Sequence, residues 1–406
     1  MTTALGLFLL ATGVFYAVRL MLWRRGLHLE FERSDALPTP RDAALPTITV
    51  VIAARDEEAT IGPCVDSVLA TDYPREKLEV IVVDDDSSDQ TAAIVRQRML
   101  RAPALAAAGH ELPEADWDES EGAGRLRLVQ IPENRRRDRA HKKAAIEKAV
   151  SHARGEIILT TDADCLVPVG WARSMAAQFT GPEVAFVSGP VAFTVLPDDG
   201  LFIKLQAMDF FGVMACGAGG IGLRKPSLAN GANVGYRRET FEALDGFSGI
   251  DHVTSGDDEL LMQKIAYTTP LDIRFCASPD ALVTTEPVRT LRAFNHQRRR
   301  WASKSLNYPA HLKATLAGIG LFFGSLLIGL GLLVVLPGLW PYLVGGFALK
   351  AVGDLSVLVP AARRFGQVAL LRVYPLHLFL HPPQAVIAFL RGPFGGFEWK
   401  SRHVDQ

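Results

Sequence analysis

The stretch LTTDADCLVP, residues 159–168, decides how this sequence is read. An apolar run, Ile157, Ile158 and Leu159, ends in two carboxylates one residue apart, Asp162 and Asp164. Alone, a D-x-D pattern fits an acidic turn as well as a metal site. Two carboxylates leaving a buried strand also suit a hard, oxygen-liking cation that stays open to substrate phosphates. The surrounding sequence has to choose between these readings.

The same pattern occurs twice upstream. TITVVIAARDEEATI opens with a β-branched run at residues 48–52 and passes into charge, then into a helical pattern reaching Val68. LEVIVVDDDSSDQTAAIV predicts a strand at 79–83, an acidic turn, and a helix from about Asp89 with Ser87, Ser88 and Asp89 as capping residues. Strands alternating with helical segments predict a largely parallel sheet with helices on both faces, an α/β fold. Ligands of such sheets bind at the carboxyl ends of the strands. All three strands place their acids there, which favours the cation reading of Asp162 and Asp164. Residues 101–124, rich in Ala, Glu, Asp and Gly, read as a surface insertion.

The ends of the chain are strongly apolar, although the 406 residues carry a net charge of only −1. Residues 4–23 are long enough for a transmembrane helix, and no basic residue precedes them as a signal peptide would require. Arg24 and Arg25 follow at once, so the positive-inside rule puts the next segment in the cytosol. Residues 314–337 form an uncharged apolar run, and 338–360 form a second, with Lys350 and Asp354 spaced to pair across one helical turn. A third stretch, 368–390, is broken by Pro375, Pro382 and Pro383; it spans, re-enters or lies in the interface. Residues 201–214 have an amphipathic look and suit an interfacial helix or a buried one. The four cysteines form no C-x-x-C pair and read as small buried hydrophobes, and the ten histidines show no zinc-ligand spacing.

Seven segments occur in a telling order: VVIAARDEE, VIVVDDDSSDQT, HKKAAIEKAV, TTDADC, NGANVGYRRETFEALDGF, SGDDELL and QRRRW. Together they resemble a membrane-bound family-2 glycosyltransferase with a GT-A fold, across residues 47–301. The resemblance implies a nucleotide diphosphate sugar as donor, probed first as a UDP-sugar, and Mn2+ or Mg2+ as cofactor. A cation held by Asp162 and Asp164 would neutralise the departing diphosphate as a Lewis acid. It implies nucleotide contacts from Arg55 and Glu57 after the first strand, from Asp84 and Asp85 in the acidic turn, from Lys142 and Lys143, and from Asp162. His141 stands where the family usually has Gly. Asp257 occupies the position of the general base, with Asp258 beside it as the alternative; Gly256 replaces the more usual Glu. Gly231, Asn233 and Arg237 fall where the family approaches the donor sugar. Gln297, Arg300 and Trp301 match Q-x-x-R-W, which the family places beside the acceptor. Arg298 and Arg299 also fit a plain juxtamembrane basic cluster.

The basic run from Arg135 to Lys143 lacks the aromatic platform of a nucleic-acid site, so no nucleic-acid partner is expected. Its remaining arginines suit anionic lipid heads.

The expected organisation is an N-terminal transmembrane helix at 1–25, a cytosolic GT-A domain at 46–300, an interfacial segment at 301–313, a transmembrane region at 314–392 and a tail at 393–406. The expected protein is a multi-pass enzyme of a bacterial-type inner or plasma membrane, inverting, that transfers one sugar to a membrane lipid hydroxyl or phosphate. A processive polysaccharide synthase of the same family and an inactive membrane scaffold are the rivals. The sequence leaves the sugar, the base, the acceptor and the oligomeric state open.

Overall fold

The computed structural model describes residues 1–100, 120–121, 125–131, 141–251, 253, 256–391, 397–399 and 402–404. The predicted insertion lies outside these residues except for one short strand, as do residues 132–140 of the basic run and most of the tail. Two units divide the chain. One comprises Phe31–Ala192 and Ala229–Glu286; the other comprises Met1–Glu30, Phe193–Leu228 and Pro287–Gln406.

The first unit is built on strands β1 (Ile48–Ala54), β2 (Leu78–Asp84), β3 (Ser120–Glu121), β4 (Leu126–Gln130), β5 (Ile157–Asp162), β7 (Val184–Ser188), β9 (Val234–Arg237) and β10 (Asp272–Phe275). They form one sheet in the order β10-β7-β9-β5-β1-β2-β4-β3. The pairs β1/β2, β1/β5, β2/β4 and β10/β7 are parallel, while β9 runs antiparallel to β5 and β7. Strands buried on both faces need apolar side chains at every position. That is why β1, β2 and β5 read as unbroken Val, Ile and Leu runs whose interior positions are almost all buried. A second sheet joins β6 (Cys165–Leu166), β8 (Val191–Phe193) and β11 (Val283–Thr285) in the order β6-β11-β8. Six helices complete the unit: α2 (Ile61–Leu69), α3 (Thr91–Met99), α4 (His141–His152), α5 (Trp171–Ala176), α7 (Arg238–Ala243) and α8 (Glu259–Thr268).

The second unit is helical. The apolar run at 4–23 becomes α1, Thr2–Ala36, which continues past Arg25 without a break. The two C-terminal runs become α10 (Ala310–Leu332) and α11 (Trp340–Arg364). The segment 201–214 is longer than the sequence suggested: α6 spans Leu201–Gly222. The Gly- and Ala-rich turns beyond Met214 carry few large apolar side chains, so the apolar signal fades there while the helix continues. Among the described residues, four helical stretches are long and apolar enough to cross a membrane, namely α1, α6, α10 and Pro337–Arg364. The proline-broken stretch forms α12, Tyr374–Arg391, which runs through Pro382 and Pro383 and is not among the four. Ahead of it, Leu291–Ser303 forms α9.

Lys350 and Asp354 pair across one turn of α11, both buried, and Asp354 also accepts hydrogen bonds from Tyr16 and Tyr374. Small residues set the approach of α1 to α6. A Cβ on Gly219 would fall 2.3 Å from the Trp23 carbonyl oxygen, and one on Gly26 would fall 1.9 Å from that of Gly219. Both obstacles are backbone and cannot swing aside. Gly219→Ala is therefore expected to destabilise the helical unit by at least about 1–3 kcal/mol, the usual cost of overpacking. Thermal unfolding in detergent checks this. An unchanged midpoint would show that the two backbones separate freely.

Candidate active site

Strand register brings the acidic residues together. Ala54 of β1 pairs with Asp84 of β2, and Ala53 pairs with Asp162 of β5, so three parallel strands end side by side. Each then delivers polar residues to one edge of the sheet, where such folds bind ligands.

At the β1/β2 end, Arg55 Nη1 donates to the Asp85 carbonyl oxygen at 2.8 Å and lies 3.7 Å from its carboxylate. Glu57 sits beside them, with its carboxylate accepting from Thr60 Oγ1 at 3.0 Å. Asp84 differs from expectation. It is buried, and its oxygens accept from the Ser87 N–H at 3.2 Å and from Gln130 Nε2 at 3.0 Å. It therefore closes the acidic turn from inside and presents no free edge to a nucleotide. Asp86, at φ 58°, carries the turn through the left-handed region that Asp tolerates better than most residues.

Beyond β5, Asp162, Asp164 and Cys165 offer ligand atoms within 4.8 Å of one another. Asp162 is half-buried, Asp164 exposed and Cys165 buried. Burial, and then Asp162 and Asp164, push the Cys165 thiol well above its ordinary range. The donor set is led by two carboxylates, which fit a hard cation such as Mg2+ or Mn2+ better than a soft one.

Lys142, near the start of α4, ties this edge to the loop before α8. Its Nζ lies 2.8 Å from Asp162 Oδ1 and 3.0 Å from Asp257 Oδ2. Burial works against its charge, but Asp162 and Asp257 outweigh that and hold its pKa above the usual lysine value. The ammonium is thus fixed between the carboxylates of Asp162 and Asp257. Gly231 closes the group: a Cβ there would stand 3.0 Å from Lys142 Nζ and 3.2 Å from Asp257 Oδ2. Asp258 faces the other way in function. It caps α8, accepting from the Glu259 N–H at 2.7 Å, and its second oxygen accepts from the Gly231 N–H at 2.6 Å. Asp258 positions the loop, while Asp257 keeps a carboxylate edge at the site.

Three further expectations are corrected by the packing. Lys143, one residue from Lys142, is buried and donates to the carbonyl oxygens of Ile250 at 2.6 Å and Val253 at 2.7 Å. Asn233 is fully buried: its Oδ1 accepts from Trp171 Nε1 at 2.9 Å and its Nδ2 donates to Pro190 and Ala281 oxygens at 2.9 and 2.8 Å. Arg237 donates to the Val184 and Gly181 carbonyl oxygens at 2.9 and 2.6 Å. Both residues hold the core instead of touching a sugar. Asn233→Ala is expected to lower stability by about 1–3 kcal/mol for each core partner left unpaired, seen as an earlier melt. A variant that melts normally but loses donor affinity would restore Asn233 to the donor site.

Gln297, Arg300 and Trp301 of the Q-x-x-R-W motif lie on α9, in the helical unit. The Trp301 ring packs 5.5 Å from Phe210 and carries the Arg298 guanidinium 4.6 Å from its centroid. Arg298, first read as one of a basic cluster, instead pairs with the buried Asp209 of α6. That contact joins residues 89 positions apart, and no local pattern announces it.

Comparisons with known proteins bear on the family and the fold. The model of Glycosyl transferase family 2 matches residues 49–102, and that of Glycosyl transferase family group 2 matches residues 157–389. An N-acetylglucosaminyltransferase of Rhizobium meliloti is 24% identical over 392 residues, covering 88% of this chain and 82% of its own length. A beta-monoglucosyldiacylglycerol synthase of Synechocystis sp. is 28% identical over 264 residues, 63% of this chain; the match covers about half of that relative, 47%. Among solved structures, the mannosyltransferase PcManGT from Pyrobaculum calidifontis, in complex with GDP-Man and Mn2+, aligns with TM-score 0.55 and 22% identity. That alignment covers 96% of this chain and 98% of the other, and the likeness is one of fold. The mostly parallel sheet is that of a GT-A fold, and the chain belongs to glycosyl transferase family 2.

Proposed function

We propose that the protein is an inverting, metal-dependent glycosyltransferase that moves a sugar from a UDP-sugar to a membrane lipid acceptor. The observation that carries this reading is the Lys142 ammonium held between Asp162 and Asp257. It sets a metal-site carboxylate and a candidate base against one another, with Gly231 leaving room beside them.

In this reading Asp162 and Asp164 hold a divalent cation, which when bound supplies charge neutralisation for the diphosphate. Arg55 and Asp85 meet the nucleoside. Lys142 supplies a fixed positive charge where the leaving group gains negative charge. Asp257 accepts the proton of the acceptor hydroxyl as its oxygen attacks the anomeric carbon from the face opposite the departing diphosphate. One displacement with one base inverts that centre. Asp258 and Gly231 keep the loop in register.

The relatives named above as an N-acetylglucosaminyltransferase and a beta-monoglucosyldiacylglycerol synthase support a hexose or N-acetylhexosamine donor. The second name, with the four long apolar helical stretches, supports a lipid acceptor. The test is a donor screen on the full chain in lipid nanodiscs. Release of one nucleotide and mass spectrometry of one glycosylated lipid are expected. Polymer on the lipid would favour a processive synthase, and no transfer with any donor would overturn the reading.

By the positive-inside rule, Arg24, Arg25 and the basic residues of α9 support a cytosolic position for the sheet-bearing unit. Glu76→Cys, in the half-exposed turn before β2, is expected to react with an impermeant thiol reagent only after cells are opened. Labelling of intact cells would reverse the topology.

A further inference from the structure

Within the helical unit, α6, α9 and α12 enclose a cavity of about 410 Å³. This lies in the size range of about 300–1,000 Å³ common to small-molecule sites. Its walls are mostly apolar, with Phe202, Phe294 and Pro383 among them. Three further lining residues, Leu291, Leu380 and Ile387, are 64%, 46% and 49% exposed. Large apolar side chains left open at a cavity's mouth admit an apolar chain.

The interior is different. Asp209 is buried and takes Arg298 as its counter-ion; His381 Nε2 lies 3.4 Å away, His377 Nε2 3.8 Å, and Gln384 Nε2 donates to it at 3.3 Å. The Arg298 charge is thereby compensated inside the unit. Around this pair, buried polar atoms have no hydrogen-bond partner among the described residues: Gln206 Oε1, both ring nitrogens of His377, His381 Nδ1 and Arg298 Nε. Gln206 is 2% exposed and His377 6%, and both line the cavity. Unpaired polar atoms at such burial cost about 1–3 kcal/mol each, so their arrangement points to a ligand that satisfies them.

The unsatisfied set is mixed. Gln206 Oε1 only accepts, Arg298 Nε only donates, and a neutral imidazole does one of each. An ionised phosphate accepts but cannot donate, so it leaves Gln206 Oε1 without a partner. A hydroxyl does both and carries no charge.

We propose that this cavity binds the hydroxyl end of a neutral lipid alcohol, with its chain leaving through the Leu291, Leu380 and Ile387 mouth. The acceptor class is then a lipid alcohol and not a lipid phosphate. This assignment of acceptor class rests on the lipid-acceptor reading above; the binding site itself does not.

The test reads binding without donor or turnover. Full chain in phosphatidylcholine nanodiscs is irradiated with a 1,2-diacylglycerol bearing a diazirine in one chain, and labelled peptides are mapped. Label is expected on α6, α9 and α12, displaced by excess diacylglycerol and not by phosphatidic acid with the same chains. Gln206→Leu and His377→Phe remove one partner each and are expected to lower labelling about tenfold. Ala388→Trp fills the cavity while leaving its polar set intact, and is expected to abolish labelling even if the first two variants fold poorly. Thermal unfolding of each variant confirms its integrity. Displacement by phosphatidic acid, or label that survives Ala388→Trp, would overturn the proposal. If labelling behaves as expected but no sugar transfer is found with any donor, the lipid site stands and the glycosyltransfer reading fails. The reverse outcome is equally distinct.

Discussion

Asp164→Asn is expected to lower turnover about 10³-fold, the equivalent of about 4 kcal/mol in the barrier. Asp164 is exposed, and its ligand oxygen lies within 4.8 Å of those offered by Asp162 and Cys165. The change is nearly isosteric at a surface position, so folding should be unaffected. What is lost is one of two anionic oxygens available to a divalent cation. Asp162 alone cannot replace it, because Lys142 already draws on the same carboxylate. Cys165 is a soft sulfur donor, a poor substitute for a carboxylate oxygen on a hard cation. Two measurements check this. Steady-state nucleotide release should collapse in the variant and, equally, in wild type with excess EDTA. A Mn2+ titration of the protein without donor should show weakened binding. Wild-type turnover in EDTA would overturn the metal assignment, whatever the variant does.

Asp257→Asn should separate binding from chemistry. Its carboxylate is 12% exposed and lies 3.0 Å from Lys142 Nζ. Donor affinity is expected to remain near normal, since the diphosphate and nucleoside are assigned to other residues. Transfer should fall by about 10²–10⁴, the usual loss when general-base help is removed. Asp258→Asn should behave differently. Asp258 uses both oxygens, one for the Glu259 N–H and one for the Gly231 N–H. An amide offers one oxygen and sets an NH2 against the other donor, costing about 1–3 kcal/mol of stability. So Asp257→Asn should appear as a rate defect at normal melting temperature, and Asp258→Asn mainly as a stability defect. If Asp258→Asn is the inert variant and Asp257→Asn is active, the roles are exchanged. The size of the Asp257 effect also reports on the acceptor. A lipid alcohol must lose a proton to attack, whereas a lipid phosphate is already ionised, and with it the defect should shrink.

Much of the fold was legible in the chain because its signals are local. β1, β2 and β5 are buried on both faces, so their sequences are continuous apolar runs that end where the backbone reaches solvent. Asp85 and Asp162 mark those ends, and parallel pairing then forces them onto one edge. Charged side chains cannot continue a strand buried on both faces, so Asp162 and Asp164 were visible as a break in hydrophobicity. The long apolar runs of α1, α10 and α11 were visible for the same reason.

Tertiary structure decided which of two neighbouring polar residues faces the site. Successive residues on a helix are turned by about 100°. Lys142 therefore reaches Asp162 and Asp257 while Lys143 is driven into the carbonyls of Ile250 and Val253. Asp257 and Asp258 part company at the start of α8, where the second is taken as a cap. Asn233 and Arg237 share a motif with Gly231, yet their hydrogen bonds go to carbonyls and a tryptophan from distant segments. Asp209 and His377 carry no motif and Arg298 falls on a variable position of Q-x-x-R-W; α6, α9 and α12 bring them together beside one cavity. A pattern in sequence records which residue types are present and which way a regular element alternates. Whether a given polar atom is left for a ligand depends on what other segments have already claimed of its hydrogen-bonding capacity, and that is settled only when the chain is packed.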